Sequence, residues 1–152
     1  MMEQNKKDKR YGRQYEQIKG LLEGKDFSIA GMATIVAVLH HKMDYFFWTG
    51  FYLLEDGELI VGPYQGPVAC ILLEKDKGVC WAGVNKGETI VVPDVHQFPG
   101  HIACDSRSNS EIVVPLKAAD GSVYGVLDVD SSELASFDEI DARWLEKILN
   151  LL

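Results

Sequence analysis

The sequence predicts an α+β domain whose antiparallel sheet of about six strands has the terminal helices on one face and a ligand pocket on the other. Helical patterns lie at the two chain ends, and strand patterns fill the middle. Asp-Gly pairs at 56–57 and 120–121 each join two neighbouring apolar runs, and such tight turns imply antiparallel pairing. A segment without any period, residues 93–110, interrupts the strands.

Length and charge limit the possible functions. The 152 residues suit a single domain spanning residues 1–152, within which residues 1–10 are expected to form a flexible or frayed tail. A net charge of −8 argues against a nucleic-acid partner, and no apolar run reaches the length of about 18 residues that a membrane span requires. Three cysteines, an odd number, favour a reducing compartment, so a cytoplasmic location is expected.

Two helical patterns precede the strands. Apolar residues recur at helical spacing over residues 11–24, and the apolar run 29–39 predicts a second helix that ends near Lys42, with Ser28 as its N-cap. The following runs are rich in aromatic and β-branched residues. They predict strands at 46–54, 59–64, 68–73 (with Cys70 inside) and 89–92, and a short helix at 78–87.

The last third of the chain predicts a hairpin and a terminal helix. Strand patterns lie at 111–116 and 123–129, and Ser136 with Glu139 resembles a capping box at the start of the helix. Asp128 and Asp130 stand two residues apart and therefore project to the same face of their strand. That pair fits either a solvated sheet face or the acidic wall of a pocket.

The segment from Val92 to Pro115 carries the reactive groups. It is longer than most loops of a compact domain, and loops of this length are usually functional or disordered. Its apolar residues argue against simple disorder: Phe98, Pro99, Ile102 and Ala103. We interpret it as an active-site lid that carries the thiol of Cys104, with His96 and His101 either organising the loop or activating that thiol.

Five motifs give the chain a specific resemblance. They are WTGFYLL from Trp48, GPYQGPVAC from Gly62, GVC from Gly78, VPDVHQFPGHIACDSRSNSEIVVP from Val92 and GVLDVDS from Gly125. Together they resemble the GAF domain and, within it, the free methionine-(R)-sulfoxide reductases. The resemblance runs from about Trp48 to Ser131 and extends more loosely into the terminal helices.

The resemblance implies a thiol-dependent reduction of free L-methionine (R)-S-oxide. It implies that Cys104 attacks the sulfoxide, that Cys70 resolves the resulting sulfenic acid as a disulfide, and that Cys80 is an accessory thiol. Glu111 would act in catalysis, and the substrate would be bound by Trp48, Tyr52, Glu111, Asp128 and Asp130. It also implies that no cofactor is bound, that thioredoxin supplies reducing equivalents ultimately from NADPH, and that the protein is a homodimer.

The residues are chemically suited to that reaction. Clustered carboxyl groups raise one another's pKa, so one of them can act as a general acid while the remaining charge binds the substrate's ammonium group. A free amino acid carries that ammonium group and a peptide-bound residue does not. Aromatic rings such as Trp48 and Tyr52 pack well against sulfur.

Two other functions fit parts of the sequence. A ligand-sensing GAF module would need the fold and the pocket but would give the cysteines no role. A zinc site could be built from Cys70, Cys104, His96 and His101, although the spacing matches no common zinc motif, and we expect no metal.

Overall fold

The computed structural model describes residues 3–101 and 104–152, so Ile102 and Ala103 of the predicted lid lie outside the described residues. The elements follow in this order: α1 (Gln4–Leu22), α2 (Ser28–Lys42), β1 (Trp48–Glu55), β2 (Glu58–Gln65), β3 (Leu72–Leu73), α3 (Gly78–Lys86), β4 (Ile90–Val92), β5 (Ser110–Lys117), β6 (Val123–Ser131) and α4 (Glu139–Leu149). A single 3₁₀ turn, Val95–Gln97, lies between β4 and β5.

The strands form one six-stranded antiparallel sheet in the order β3-β2-β1-β6-β5-β4. Both Asp-Gly turns join neighbouring strands, β1 to β2 and β5 to β6. The predicted α+β class with an antiparallel sheet of this size is therefore confirmed.

The sheet separates two apolar layers. Alternate residues of the central strands, such as Phe51, Val114 and Leu127, pack against α1, α2 and α4. Their neighbours, such as Tyr52, Val113 and Val126, pack against α3 on the opposite face. The strict alternation of a strand therefore places the terminal helices on one side and leaves the other side for α3 and a pocket.

The prediction of a flexible or frayed tail at residues 1–10 is wrong for the part of that segment that the structure describes. Helix α1 begins at Gln4, and Lys7 is fully buried. The Lys7 ammonium group donates to Asp141 Oδ2 at 2.7 Å and to the Ser136 carbonyl at 3.1 Å, while the Tyr11 hydroxyl donates to Asp141 Oδ1. A buried charge that is paired in this way holds the segment against α4.

The third strand is much shorter than the sequence predicted. Only Leu72 and Leu73 pair with β2, so Cys70 lies in a loop and not inside a strand. Gly66, at φ +120°, and Pro67 break the extended run after β2. Exposed Val68 and Ile71 are therefore surface loop residues despite their β-type character.

Two predicted helix caps also differ. Ser28 is the first residue of α2, whose N-terminus has no side-chain cap. At α4 the capping box is formed by Asp138 and Asp141 instead of Ser136 and Glu139. Ser136 instead contacts the Ser131 hydroxyl at 2.7 Å, because α4 begins three residues later than Ser136.

Helix α3 lies unusually close to the sheet. A Cβ atom at Gly83 would stand 2.7 Å from Val113 Cγ1, so only glycine permits this approach. The close packing brings the first turn of α3, with Cys80, against β5 and β6. Within the described chain no helix combines the length and the hydropathy that a bilayer crossing requires.

Candidate active site

A cavity of about 70 Å³ lies on the sheet face opposite the terminal helices. It is bounded by β1 and β6, by the first turn of α3, and by the loops that carry Cys70 and Cys104. The volume is small beside the several hundred Å³ of sites for drug-sized ligands, so it suits a small molecule. Every residue that the sequence nominated for the site, except Cys70, lines it: Trp48, Tyr52, Cys80, Cys104, Glu111, Asp128 and Asp130.

Strand register brings the acidic residues together. Trp48 pairs with Asp130, and Asp130 pairs with Glu111, so these side chains form one row across β1, β6 and β5. Asp128 lies two residues along β6 on the same face, opposite Gly50 and Val113. Of the two possibilities for the Asp128 and Asp130 pair, the acidic pocket wall is correct.

Burial dominates the electrostatics of the three carboxyl groups. Burial is the largest cause of the rise in the pKa of Asp128 to about 6. It also raises the pKa of Glu111 and of Asp130 well above the usual range. The negative charge of Asp128 is the second-largest cause of the raised pKa of Glu111 and of Asp130. All three carboxyl groups therefore hold a proton more readily than exposed ones, and Asp128, with its pKa of about 6, is ionised at neutral pH.

Cys80 extends this acidic cluster with a thiol. It is buried beside Asp128, and burial, followed by the charge of Asp128, raises its pKa well above the usual range. Hydrogen bonds from Glu111 and Cys80 lower the pKa of Asp128 and so offset part of the rise that burial causes. Asp128 Oδ1 has no hydrogen-bond partner among the described residues.

Cys70 and Cys104 form a disulfide at the rim of the cavity, with Cα atoms 5.7 Å apart. They are 34 residues apart in sequence, so the two loops must converge over the sheet. Cys104 is exposed and Cys70 is partly buried. Both cysteines of the zinc site considered from the sequence are in this bond, and His96 contacts Asn109 Oδ1 at 3.0 Å.

Aromatic side chains hold the Cys70 loop against the sheet. The Tyr52 hydroxyl donates to the Cys70 carbonyl, and Trp48 Nε1 donates to the Pro67 carbonyl, each at 3.0 Å. The two rings stack with centroids 5.8 Å apart. A Cβ atom at Gly50 would stand 2.5 Å from the Trp48 ring, so this strand glycine is required for the ring's position.

The loop that carries Cys104 is anchored at several points. Asp105 accepts two hydrogen bonds from the Arg107 guanidinium, whose carbon lies 5.0 Å from the centre of the Phe47 ring. His101 lines the cavity with Nε2 3.9 Å from Glu111 Oε2, too far for a hydrogen bond. Burial lowers the pKa of His101, so the ring is neutral at pH 7 and does not supply a positive charge beside Cys104.

The first turn of α3 also lines the cavity, although of its residues only Cys80 was predicted from the sequence to belong to the site. Lys77, Gly78 and Val79 line the cavity, and no side chain caps the helix there. Its first backbone N–H groups therefore lack partners within the helix and favour an anion. The signal available in the sequence was the glycine at the start of the helix predicted at 78–87, and this Gly78 adopts φ +82° in the structure.

Comparisons with known proteins agree with this geometry. A family model described as the GAF domain matches residues 33–152. The chain is 40% identical over 129 residues to the free methionine-R-sulfoxide reductase of Escherichia coli, covering 85% of this chain and 78% of that protein. The reductase of the same name from Saccharomyces cerevisiae is 46% identical over 108 residues, covering 69% of this chain and 60% of that protein.

A solved structure extends the similarity to the whole fold. The free methionine-R-sulfoxide reductase of Neisseria meningitidis, in complex with its substrate, superposes with a TM-score of 0.88. The two chains are 43% identical, and the match covers 93% of this chain and 84% of the other.

Proposed function

The chain belongs to the GAF-domain family and, within it, to the free methionine-R-sulfoxide reductases, and on that premise we propose that it reduces free L-methionine (R)-S-oxide to L-methionine through Cys104. One observation carries the proposal: the Cys70–Cys104 disulfide stands at the rim of a small pocket lined by three carboxyl groups. A disulfide in that position is the expected product of one reductive turnover.

The proposed chemistry begins at Cys104. Its thiolate attacks the sulfoxide, and the oxygen passes with one proton from the methionine sulfur to Cys104 Sγ. The methionine S–O bond breaks as the Cys104 S–O bond forms, which yields a sulfenic acid and releases methionine. The thiol of Cys70 then attacks the sulfenic acid, forming the disulfide and one water molecule. Thioredoxin returns the disulfide to two thiols by exchange, and the electrons come ultimately from NADPH.

Glu111 is the proposed proton donor. The sulfoxide oxygen must gain a proton as the S–O bond breaks, and a carboxyl group whose pKa burial raises well above its usual range is suited to supply it. Asp128, with a pKa of about 6, is then the anion that faces the substrate's ammonium group. Asp130 lies opposite Glu111 in the strand register and is the third carboxyl group beside the proton donor and the anion.

The other end of the amino acid fits the uncapped first turn of α3. Free backbone N–H groups at Gly78 and Val79 suit a carboxylate, and Lys77 lies beside them at the cavity wall. Ammonium and carboxylate groups are both present in a free amino acid and both absent from a residue within a peptide. Trp48 and Tyr52 provide the aromatic surface for the S-methyl group.

The test is a coupled assay with methionine sulfoxide, thioredoxin, thioredoxin reductase and NADPH. We expect NADPH loss with the free R-epimer, and none with the S-epimer or with N-acetylmethionine-R-sulfoxide, which lacks the ammonium group. Cys104→Ser should abolish turnover, and Cys70→Ser should allow one turnover without thioredoxin but recycle poorly. An inactive wild type that still binds the sulfoxide would favour a ligand-sensing module, and wild-type recycling in Cys70→Ser would remove Cys70 from the mechanism.

A homodimer and a cytoplasmic location complete the proposal. Both were expected from the sequence resemblance and composition, and light scattering of the purified protein tests the homodimer.

The exposed position of Cys104 supports reduction by a protein dithiol, because such a partner must bring its own thiolate to one of the two sulfur atoms.

A further inference from the structure

We propose that Cys80, Glu111 and Asp128 bind a thiophilic divalent cation, Zn²⁺ or Cd²⁺. One thiol sulfur and two carboxylate oxygens, from α3, β5 and β6, all lie within 4.8 Å of one another. All three residues are buried, with Glu111 5% and Asp128 6% exposed. Three potential ligands therefore already converge on one buried point of the pocket wall.

An unsatisfied atom independently points to a ligand. Asp128 Oδ1 is buried and has no hydrogen-bond partner among the residues described. A buried carboxylate oxygen without a partner is costly, and a bound cation removes that cost.

The ligand set selects the kind of cation. Thiolate sulfur is a soft ligand that favours zinc-like ions, whereas Mg²⁺ and Ca²⁺ prefer all-oxygen sites. Tetrahedral zinc bond lengths place sulfur and oxygen ligands about 3.5 Å apart, so side-chain shifts of about 1 Å would close the present spacing. Binding would release the thiol proton of Cys80 to solvent without any redox change.

The cation would occupy the space that the sulfoxide needs. Glu111 and Asp128 are the groups proposed to protonate the sulfoxide and to bind its ammonium group, so the cation and the substrate should exclude each other. This consequence rests on the proposed function, whereas cation binding itself does not. The site also persists in the oxidised protein, because Cys80 is the free cysteine when Cys70 and Cys104 are joined.

The oxidised protein allows a clean measurement. Of the three cysteines in the sequence only Cys80 then carries a thiol, so a thiolate-to-cadmium charge-transfer band on titration with CdCl₂ reports this residue. We expect one equivalent of Cd²⁺, its displacement by ZnCl₂, and no band in Cys80→Ser. Absence of the band in the wild type at millimolar CdCl₂ would overturn the proposal.

Two matched carboxylate variants separate coordination from charge. Asp128→Asn should weaken Cd²⁺ binding by more than about 100-fold, since even outer-shell changes at metal sites cost 10–100-fold. Asp130→Asn removes a carboxyl group from the same strand face but no proposed ligand, and its effect should be much smaller. Equal losses in the two variants would mean charge attraction without a built site, against the proposal.

Competition is measured by calorimetry on the Cys70→Ser/Cys104→Ser variant, in which Cys80 is again the single thiol. Saturating CdCl₂ should lower the affinity for free methionine-R-sulfoxide at least tenfold. Cd²⁺ and the sulfoxide binding together without interference would refute the shared site. Absence of sulfoxide binding with Cd²⁺ bound normally would instead count against the proposed function and leave the cation site supported.

Discussion

Asp128→Asn should stabilise the fold at neutral pH while impairing the site. Burial raises the pKa of Asp128 from 3.8 to about 6, so between about pH 4 and pH 6 the folded state keeps a proton that the unfolded state has lost. Stability therefore falls as pH rises through that window, and the full penalty applies above it. A rise of about two pH units at about 1.4 kcal/mol each gives about 3 kcal/mol.

Asparagine removes this penalty because it carries no charge and still offers an oxygen to the Cys80 thiol. For a chain of this length, about 3 kcal/mol corresponds to a rise in Tm of roughly 6–12 °C. The rise should be present at pH 7.5 and nearly absent at pH 4, where the wild-type carboxyl group is protonated in the folded state and about half protonated in the unfolded state. Thermal unfolding of the oxidised proteins at both pH values measures it.

Asp26→Asn is the matched control, since it makes the same substitution at an exposed position between α1 and α2. It should shift Tm by little at either pH. The reasoning fails if Asp128→Asn is no more stable than the wild type at pH 7.5. It also fails if the gain is the same at pH 4, because the effect would then not come from the ionisation of Asp128.

Four further outcomes follow from the geometry. Glu111→Gln should lower kcat by about 100-fold or more with the fold intact by circular dichroism, because it removes the proton donor, and near-normal kinetics would exclude that role. KM for the free sulfoxide should rise below about pH 6 as Asp128 becomes protonated, and a flat KM profile from pH 5 to pH 8 would contradict this. Gly50→Ala should cost about 1–3 kcal/mol in urea unfolding, since the new methyl group meets the Trp48 ring, whereas Gly20→Ala, with open space around it, should not. Asp141→Ala should cost about 3–5 kcal/mol by leaving Lys7 buried without its main partner, and a loss below 1 kcal/mol would show that Lys7 escapes to solvent.

Much of the candidate site could be predicted from the sequence. The alternation around Asp128 and Asp130 is a local property of a strand, and it fixed the shared face of the two side chains. The long segment before Glu111 was identifiable as a functional loop because it lacks any period. Its motifs, together with those around Cys70 and Cys80, carried the family resemblance.

Local patterns failed where long-range packing competes with them. Residues 68–71 have β-type side chains, yet Gly66 and Pro67 turn the chain out of the sheet and leave Cys70 in a loop. Lys7 falls in the segment predicted to be a flexible or frayed tail, but its partner Asp141 lies 134 residues away. No neighbouring residue in the sequence indicates such a pairing.

The sequence by itself determined the fold class, the order of the elements and the residues available for chemistry, because periodicity and turn residues act over short distances. The tertiary structure decided which of those residues meet. Strand register sets Glu111 opposite Asp130, and the glycine-dependent approach of α3 brings the Cys80 thiol beside Asp128. Register and helix packing depend on contacts between distant segments, and the pKa values of the pocket follow from the burial that only those contacts create.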